Sequence, residues 1–124
     1  MTLPNFIIIG AAKSGTTALY RYLRQHPQIF MTDRKEPHHF SYTEETKKTN
    51  GPSDYIWTAI TDPDEYEKLF DDVGDEIAIG EASPTYIYVP GTAERIFNKI
   101  PEAKLIAILR NPIERAYSAY MHLI

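Results

Sequence analysis

Residues Phe6 to Leu23, FIIIGAAKSGTTALYRYL, constrain this chain more than any other stretch. A short β-branched and aromatic run bounded by Pro4-Asn5 and Gly10 reads as a buried strand. The glycine-bounded turn that follows carries Lys13, and a helix then opens on the pair Thr16-Thr17. Gly15 lets the backbone turn tightly into that helix, whose first N–H groups have no partner within the helix and whose dipole favours an anion. Lys13 adds a point charge, while Ser14, Thr16 and Thr17 add hydroxyl donors. The pattern is that of a phosphate cradle.

The Walker loop places four residues between its first glycine and Gly-Lys, followed by Ser or Thr. Here Gly10-Ala11-Ala12-Lys13-Ser14-Gly15-Thr16-Thr17 is shorter and sets the lysine before the second glycine. The string resembles the 5′-phosphosulfate-binding loop of sulfotransferases that use 3′-phosphoadenosine 5′-phosphosulfate (PAPS), with its usual core Lys-Ser/Thr-Gly-Thr-Thr. The resemblance implies that Lys13, Ser14, Gly15, Thr16 and Thr17 bind PAPS and that Lys13 also stabilises the leaving group.

A second segment, Lys104 to Tyr120, repeats the architecture: apolar strand, charged turn, helix. Arg110 stands at the carboxyl end of its strand, where open α/β sheets bind ligands. Ser118 follows about two helical turns later. Read alone, Arg110 and Arg115 would be surface partners of Glu114, and Ser118 a tolerated helix serine. Read with the first loop, Arg-Asn-Pro-x-x-Arg-Ala-x-Ser resembles the 3′-phosphate-binding segment of the same family, which implies Arg110 and Ser118 as ligands of that phosphate. A guanidinium chelates a phosphate through two N–H groups, as an ammonium cannot. The resemblance runs along the whole chain in order, but only these two segments are specific.

Strand-like runs alternate with helix-like ones. Gln28 to Met31, Ile77 to Gly80 and Lys104 to Leu109 are the further strands. A helix over Thr16 to Gln25 sets Leu19, Tyr22 and Leu23 along one side; Asp62-Pro63 caps a second, with Tyr66, Leu69 and Phe70 as its apolar stripe, that ends near Gly74. Thr92 to Lys99, with Ile96 and Ile100 on the buried side, makes a third, and Asn111-Pro112 starts the last. Near-continuous apolar strands separated by helices predict an α/β chain: a P-loop-like three-layer fold with a central parallel sheet flanked by helices. Residues 1–124 read as one sulfotransferase domain in its N-terminal portion, truncated at the C-terminus within a helical pattern. The family's later glycine- and lysine-containing loop would then be missing, and a dimer or partner chain would complete the fold.

At 43% hydrophobic residues the chain has the apolar surface for a core. A net charge of −4 argues against a general nucleic-acid binder, so any anion site must be local. With no cysteine there are no disulfides, thiolate metal sites or cysteine nucleophiles. Apolar runs such as Phe6 to Ile9 fall far short of the roughly 20 residues that span a bilayer, and Met1 to Asn5 has no basic n-region. The expectation is a soluble, cytoplasmic protein without a membrane partner.

Sulfuryl transfer to a hydroxyl or amine is an in-line displacement that needs a group to take the acceptor's proton and, in principle, no metal. Glu36, His38, His39 and Glu81 are the candidates. Glu36-Pro37-His38-His39-Phe40 resembles the Glu-x-x-x-Phe-like segment that carries the base in heparan-type sulfotransferases, which implies Glu36; its plain alternative is a solvated charge paired with Lys35 or Arg34. His38 and His39 read as substrate-shaping groups, without a third ligand that would make them a metal site. Ser83 and Tyr86 are candidates for the acceptor cleft, together with the polar loop Thr32 to Asn50 and the aromatics Tyr42, Tyr55 and Trp57. One departure stands out: where heparan enzymes carry a lysine after a glutamate, this chain has Ala82. The expected products are a sulfated small-molecule or carbohydrate acceptor and adenosine 3′,5′-bisphosphate. The alternatives are a P-loop kinase or NTPase, and a nucleotide-binding fragment without turnover.

Overall fold

Strand β1 (Phe6–Gly10) organises the structure because both of its faces are covered: Ile7 and Ile8, on opposite sides of the pleat, are each 0% exposed. The computed structural model describes residues 2–49 and 58–123; the predicted pocket aromatics Tyr55 and Trp57, and the end of the polar loop at Asn50, lie outside them. Within these residues β2 (Ile29–Met31), β3 (Ala78–Ala82) and β4 (Lys104–Ala107) join β1 in one parallel sheet of order β2–β3–β1–β4.

The two faces carry separate cores. Ile7 packs in a cluster with Phe40, Tyr66, Phe70, Tyr86, Ile96 and Ile100. Ile8 belongs to another with Phe6, Tyr20, Met31 and Ala82. Helix α1 (Thr16–Arg24) therefore covers one side through Tyr20, whereas α3 (Pro63–Lys68) and α4 (Thr92–Lys99) cover the other through Tyr66 and Ile96. A further short helix, α2 (Glu44–Thr49), lies in the polar loop, and the long α5 (Pro112–Leu123) closes the described chain. Fully burying an isoleucine stabilises by roughly 1.5–3 kcal/mol, so Ile7 and Ile8 each help hold one layer to the sheet. No helix among the described residues is long and apolar enough to cross a membrane.

Local chemistry accounts for most element ends. Asp62 caps α3 by accepting a bond from the Asp64 N–H, with Pro63 at the first helical position. Helix α4 has the bounds its pattern predicts, and Ile96 and Ile100 are buried as expected. Several positions differ: β4 stops at Ala107 rather than Leu109, and α3 stops at Lys68 rather than near Gly74. Tyr22, placed on the apolar side of α1, is 72% exposed; the buried positions are Thr16 and Tyr20, one turn apart, with Leu19 and Leu23 packed beside them. Strand β3 begins at Ala78 and runs on to Ala82, because pairing of Ile7 with Glu81 and of Ile8 with Ala82 continues the ladder. Gly80 is required there, since a β-carbon would stand 2.3 Å from the Phe6 ring.

Candidate anion site and the segment facing it

The turn after β1 is shaped by two left-handed residues, Lys13 (φ 61°) and Gly15 (φ 91°). Gly15 is the N-cap of α1, and no side chain caps that helix. Its first turn holds no acidic residue, while Arg21 and Arg24 occupy the last turn, where cations complement the dipole. The free N–H groups of α1 thus face a cleft of about 290 Å³ lined by Ala12, Lys13, Gly15, Thr16, Thr17, Lys35, Glu36, Pro84 and His122. Ser14 is buried and does not line it.

The second segment is brought alongside by the sheet. Beyond the end of β4, Ile108 exchanges backbone bonds with the loop: its N–H donates to the Gly10 carbonyl, and its own carbonyl accepts from Ala11, each at 2.8 Å. Arg110 then reaches back and donates from Nη1 to the Lys13 carbonyl at 3.0 Å. Asn111 starts α5 by accepting from the Ile113 N–H at 2.9 Å, and Arg110 also approaches Glu114 at 3.8 Å. Arg110 lines a neighbouring cleft of about 500 Å³ with Ala11, Ala12, Tyr88 and Arg115. Ser118 is half-buried on α5 and lines neither of these clefts.

Glu36 sits across the anion cleft from the loop and pairs with Lys35, Nζ to Oε1 at 2.8 Å. Its ion pair with Lys35 is the one the plain reading expected, and its side chain also lines the cleft with Lys13. The neighbouring histidines point elsewhere. His38 is 1% exposed with Nδ1 2.7 Å from the Thr85 hydroxyl, and burial pushes it down to about 4, so it is neutral at pH 7. His39 donates from Nδ1 to the Ile60 carbonyl at 2.8 Å and stacks on Tyr66 at 4.2 Å; burial lowers it as well. His39 and Tyr42 line a different cleft, of about 380 Å³, beside Arg95 and Lys99.

Ser83 and Tyr86 are interior side chains that do not line the anion cleft. Their hydroxyls donate to the fully buried Glu81, Ser83 to Oε1 at 2.7 Å and Tyr86 to Oε2 at 2.8 Å, and Tyr66 adds a bond to Oε2 at 2.6 Å. Burial raises the Glu81 carboxyl, against the pull of these three hydroxyls. Among the described residues no group of three or more His, Asp or Glu side chains could hold a metal ion.

The structure therefore gathers Lys13, Gly15, Thr16, Thr17 and Glu36 at one cleft and sets Arg110 against the same loop. Sequence reasoning named Lys35 only as an ion-pair partner of Glu36 and did not place it or His122 at the cleft. The adjacency of Lys35 to Glu36 gave the pair but not its place in the cleft; nothing short of the α5 packing could have placed His122.

Comparison with known proteins places the chain in a family. A family model described as Sulfotransferase domain matches residues 3–123. The chain is 41% identical over 120 residues to the membrane-associated sulfotransferase kil1 of Dictyostelium discoideum, covering 97% of this chain and 23% of that protein. It is 32% identical over 120 residues to bifunctional heparan sulfate N-deacetylase/N-sulfotransferase 3 of Homo sapiens, covering 97% and 13%. The crystal structure of a sulfotransferase from Alicyclobacillus acidocaldarius matches with a TM-score of 0.89 at 48% identity, over 99% of this chain and 51% of that one. The chain thus spans about half of the solved relative and less than a quarter of these two curated ones.

Proposed function

Because this chain belongs to the sulfotransferase domain family, we propose that the protein transfers a sulfuryl group from PAPS to a hydroxyl or amine of a small-molecule or carbohydrate acceptor. The observation that carries the reading is the Arg110 bond to the Lys13 carbonyl, which joins two cationic segments into one surface for a donor anionic at both ends. The loop fits such a donor: the N-terminus of α1 is uncapped and free of acidic residues, and Lys13, Thr16 and Thr17 line the cleft beside it.

In this reading the α1 N–H groups, Thr16 and Thr17 bind the 5′-phosphate, and Arg110 with Ser118 binds the 3′-phosphate. Glu36 takes the proton from the acceptor as its oxygen or nitrogen bonds to sulfur. The bond from sulfur to the bridging oxygen breaks in line, and the electron pair stays on that oxygen. Lys13 and the helix dipole stabilise the charge developing there. Lys35 occupies Oε1 of Glu36, which leaves Oε2 to accept the proton.

The test uses the protein at its natural length. Calorimetry should register adenosine 3′,5′-bisphosphate without added Mg²⁺ and no comparable uptake of ATP, and labelled PAPS should yield a sulfated acceptor. Glu36→Gln should keep bisphosphate binding and lose turnover by 10²–10⁴-fold, the usual worth of a general base. Near-normal turnover in that variant would remove Glu36 from its role, and absence of bisphosphate binding would remove the donor itself.

A further inference from the structure

Glu81 takes no part in that mechanism, yet it is a carboxylate kept wholly inside the protein by three hydroxyls. A buried carboxylate is costly, so a chain that retains one has a use for its acceptor oxygens. The use is visible in what the hydroxyls do next. Ser83 and Tyr86 each spend their single proton on Glu81 and so turn lone pairs outward. Ser83 Oγ accepts the His38 N–H at 3.0 Å, and the Tyr86 hydroxyl accepts the Phe40 N–H at 3.3 Å. The Glu36 N–H donates at 3.0 Å to the carbonyl of Ala82, the residue next to Glu81. The segment from Glu36 to Phe40 is therefore hung from β3 and the 3-10 turn Pro84–Ile87 at alternate residues.

That segment needs holding. Glu36 and His38 have φ of 60° and 54°, in the left-handed region that most side chains other than glycine avoid, glutamate more strongly than histidine. Such backbone persists only where its surroundings over-determine it. We propose that Glu81 is a positioning residue: by fixing which way the Ser83 and Tyr86 hydroxyls point, it locks the left-handed segment that presents Glu36 to the cleft carrying Lys13. The proposal rests on the reading of Glu36 as base. It requires an acceptor-only group at Glu81. An amide would donate to one hydroxyl, and that hydroxyl's own proton would then be driven toward the backbone N–H it now receives.

The experiment compares Glu81→Gln, Ser83→Ala, Tyr86→Phe and the Glu81→Gln/Ser83→Ala pair with the parent protein at natural length. The readouts are kcat and KM for PAPS, bisphosphate binding by calorimetry, and thermal melting. Displacement of a base by about 1 Å costs on the order of 100-fold, so kcat should fall by that order in Glu81→Gln while bisphosphate affinity stays within about threefold. The pair should be no worse than Glu81→Gln alone, because Ser83 acts through Glu81. A folded Glu81→Gln protein with parental kcat overturns the proposal, as does loss of kcat and bisphosphate affinity in step. If Glu81→Gln does not fold, the milder Ser83→Ala and Tyr86→Phe decide the matter, and parental kcat in both overturns it. Glu36→Gln with normal turnover would instead sink the underlying reading, whereas inactive Glu36→Gln beside fully active Glu81→Gln sinks this proposal alone.

Discussion

His38 offers a quantitative test of the packing behind the site. Its ring is buried and bonded to Thr85, and desolvation holds it at about 4 against an ordinary 6.5; the nearby Glu36 carboxylate opposes this, and Arg34 and Lys35 add to it. The unfolded chain therefore binds a proton at His38 between these two values while the folded protein does not. Stability from this group is complete above pH 6.5 and is lost as pH falls toward 4. Each tenfold change in proton affinity is worth about 1.4 kcal/mol, so the loss amounts to about 3 kcal/mol. His38→Asn keeps a polar atom near Nδ1 but removes the titration. Urea denaturation at pH 7 and pH 4.5 should show the parent protein losing about 2–3 kcal/mol more than the variant over that interval, other carboxylates contributing equally to both. Equal losses in the two proteins would refute the argument that His38 is desolvated and neutral.

Two further outcomes follow from positions already described. Gly80→Ala should destabilise by about 1–3 kcal/mol, because the new methyl meets the Phe6 ring across β1 and β3; adding Phe6→Leu should recover part of the loss, as read from denaturation midpoints. Arg110→Lys should weaken bisphosphate binding by about tenfold or more while keeping the net charge, since an ammonium cannot chelate a phosphate and hold the Lys13 carbonyl together; calorimetry of the two proteins checks this.

Much of the architecture was legible because it rests on near-neighbour chemistry. The Asp62-Pro63 cap, the Thr92–Lys99 helix and the glycine-bounded turn after β1 all announce themselves in a few residues. What escaped depends on contacts distant in the chain. Tyr22 and Tyr20 both suit an amphipathic helix, and only the cluster with Ile8 and Met31 selects Tyr20 for burial. Glu81, just past the predicted strand and a candidate base in the sequence, is carried inside by its register with Ile7. The left-handed backbone at Glu36 has no local signal, and at His38 only the weak enrichment of histidine there; it is held from β3 and the turn beyond it.

The Arg110–Lys13 link also bears on how such a site can change over evolutionary time. In the proposed reading, one end of the donor site borrows its geometry from the other, so neither could be re-tuned as a separate module. A substitution that reshapes the lysine turn shifts the guanidinium as well, and adaptation to a different donor would have to proceed through paired changes in two remote stretches of the gene.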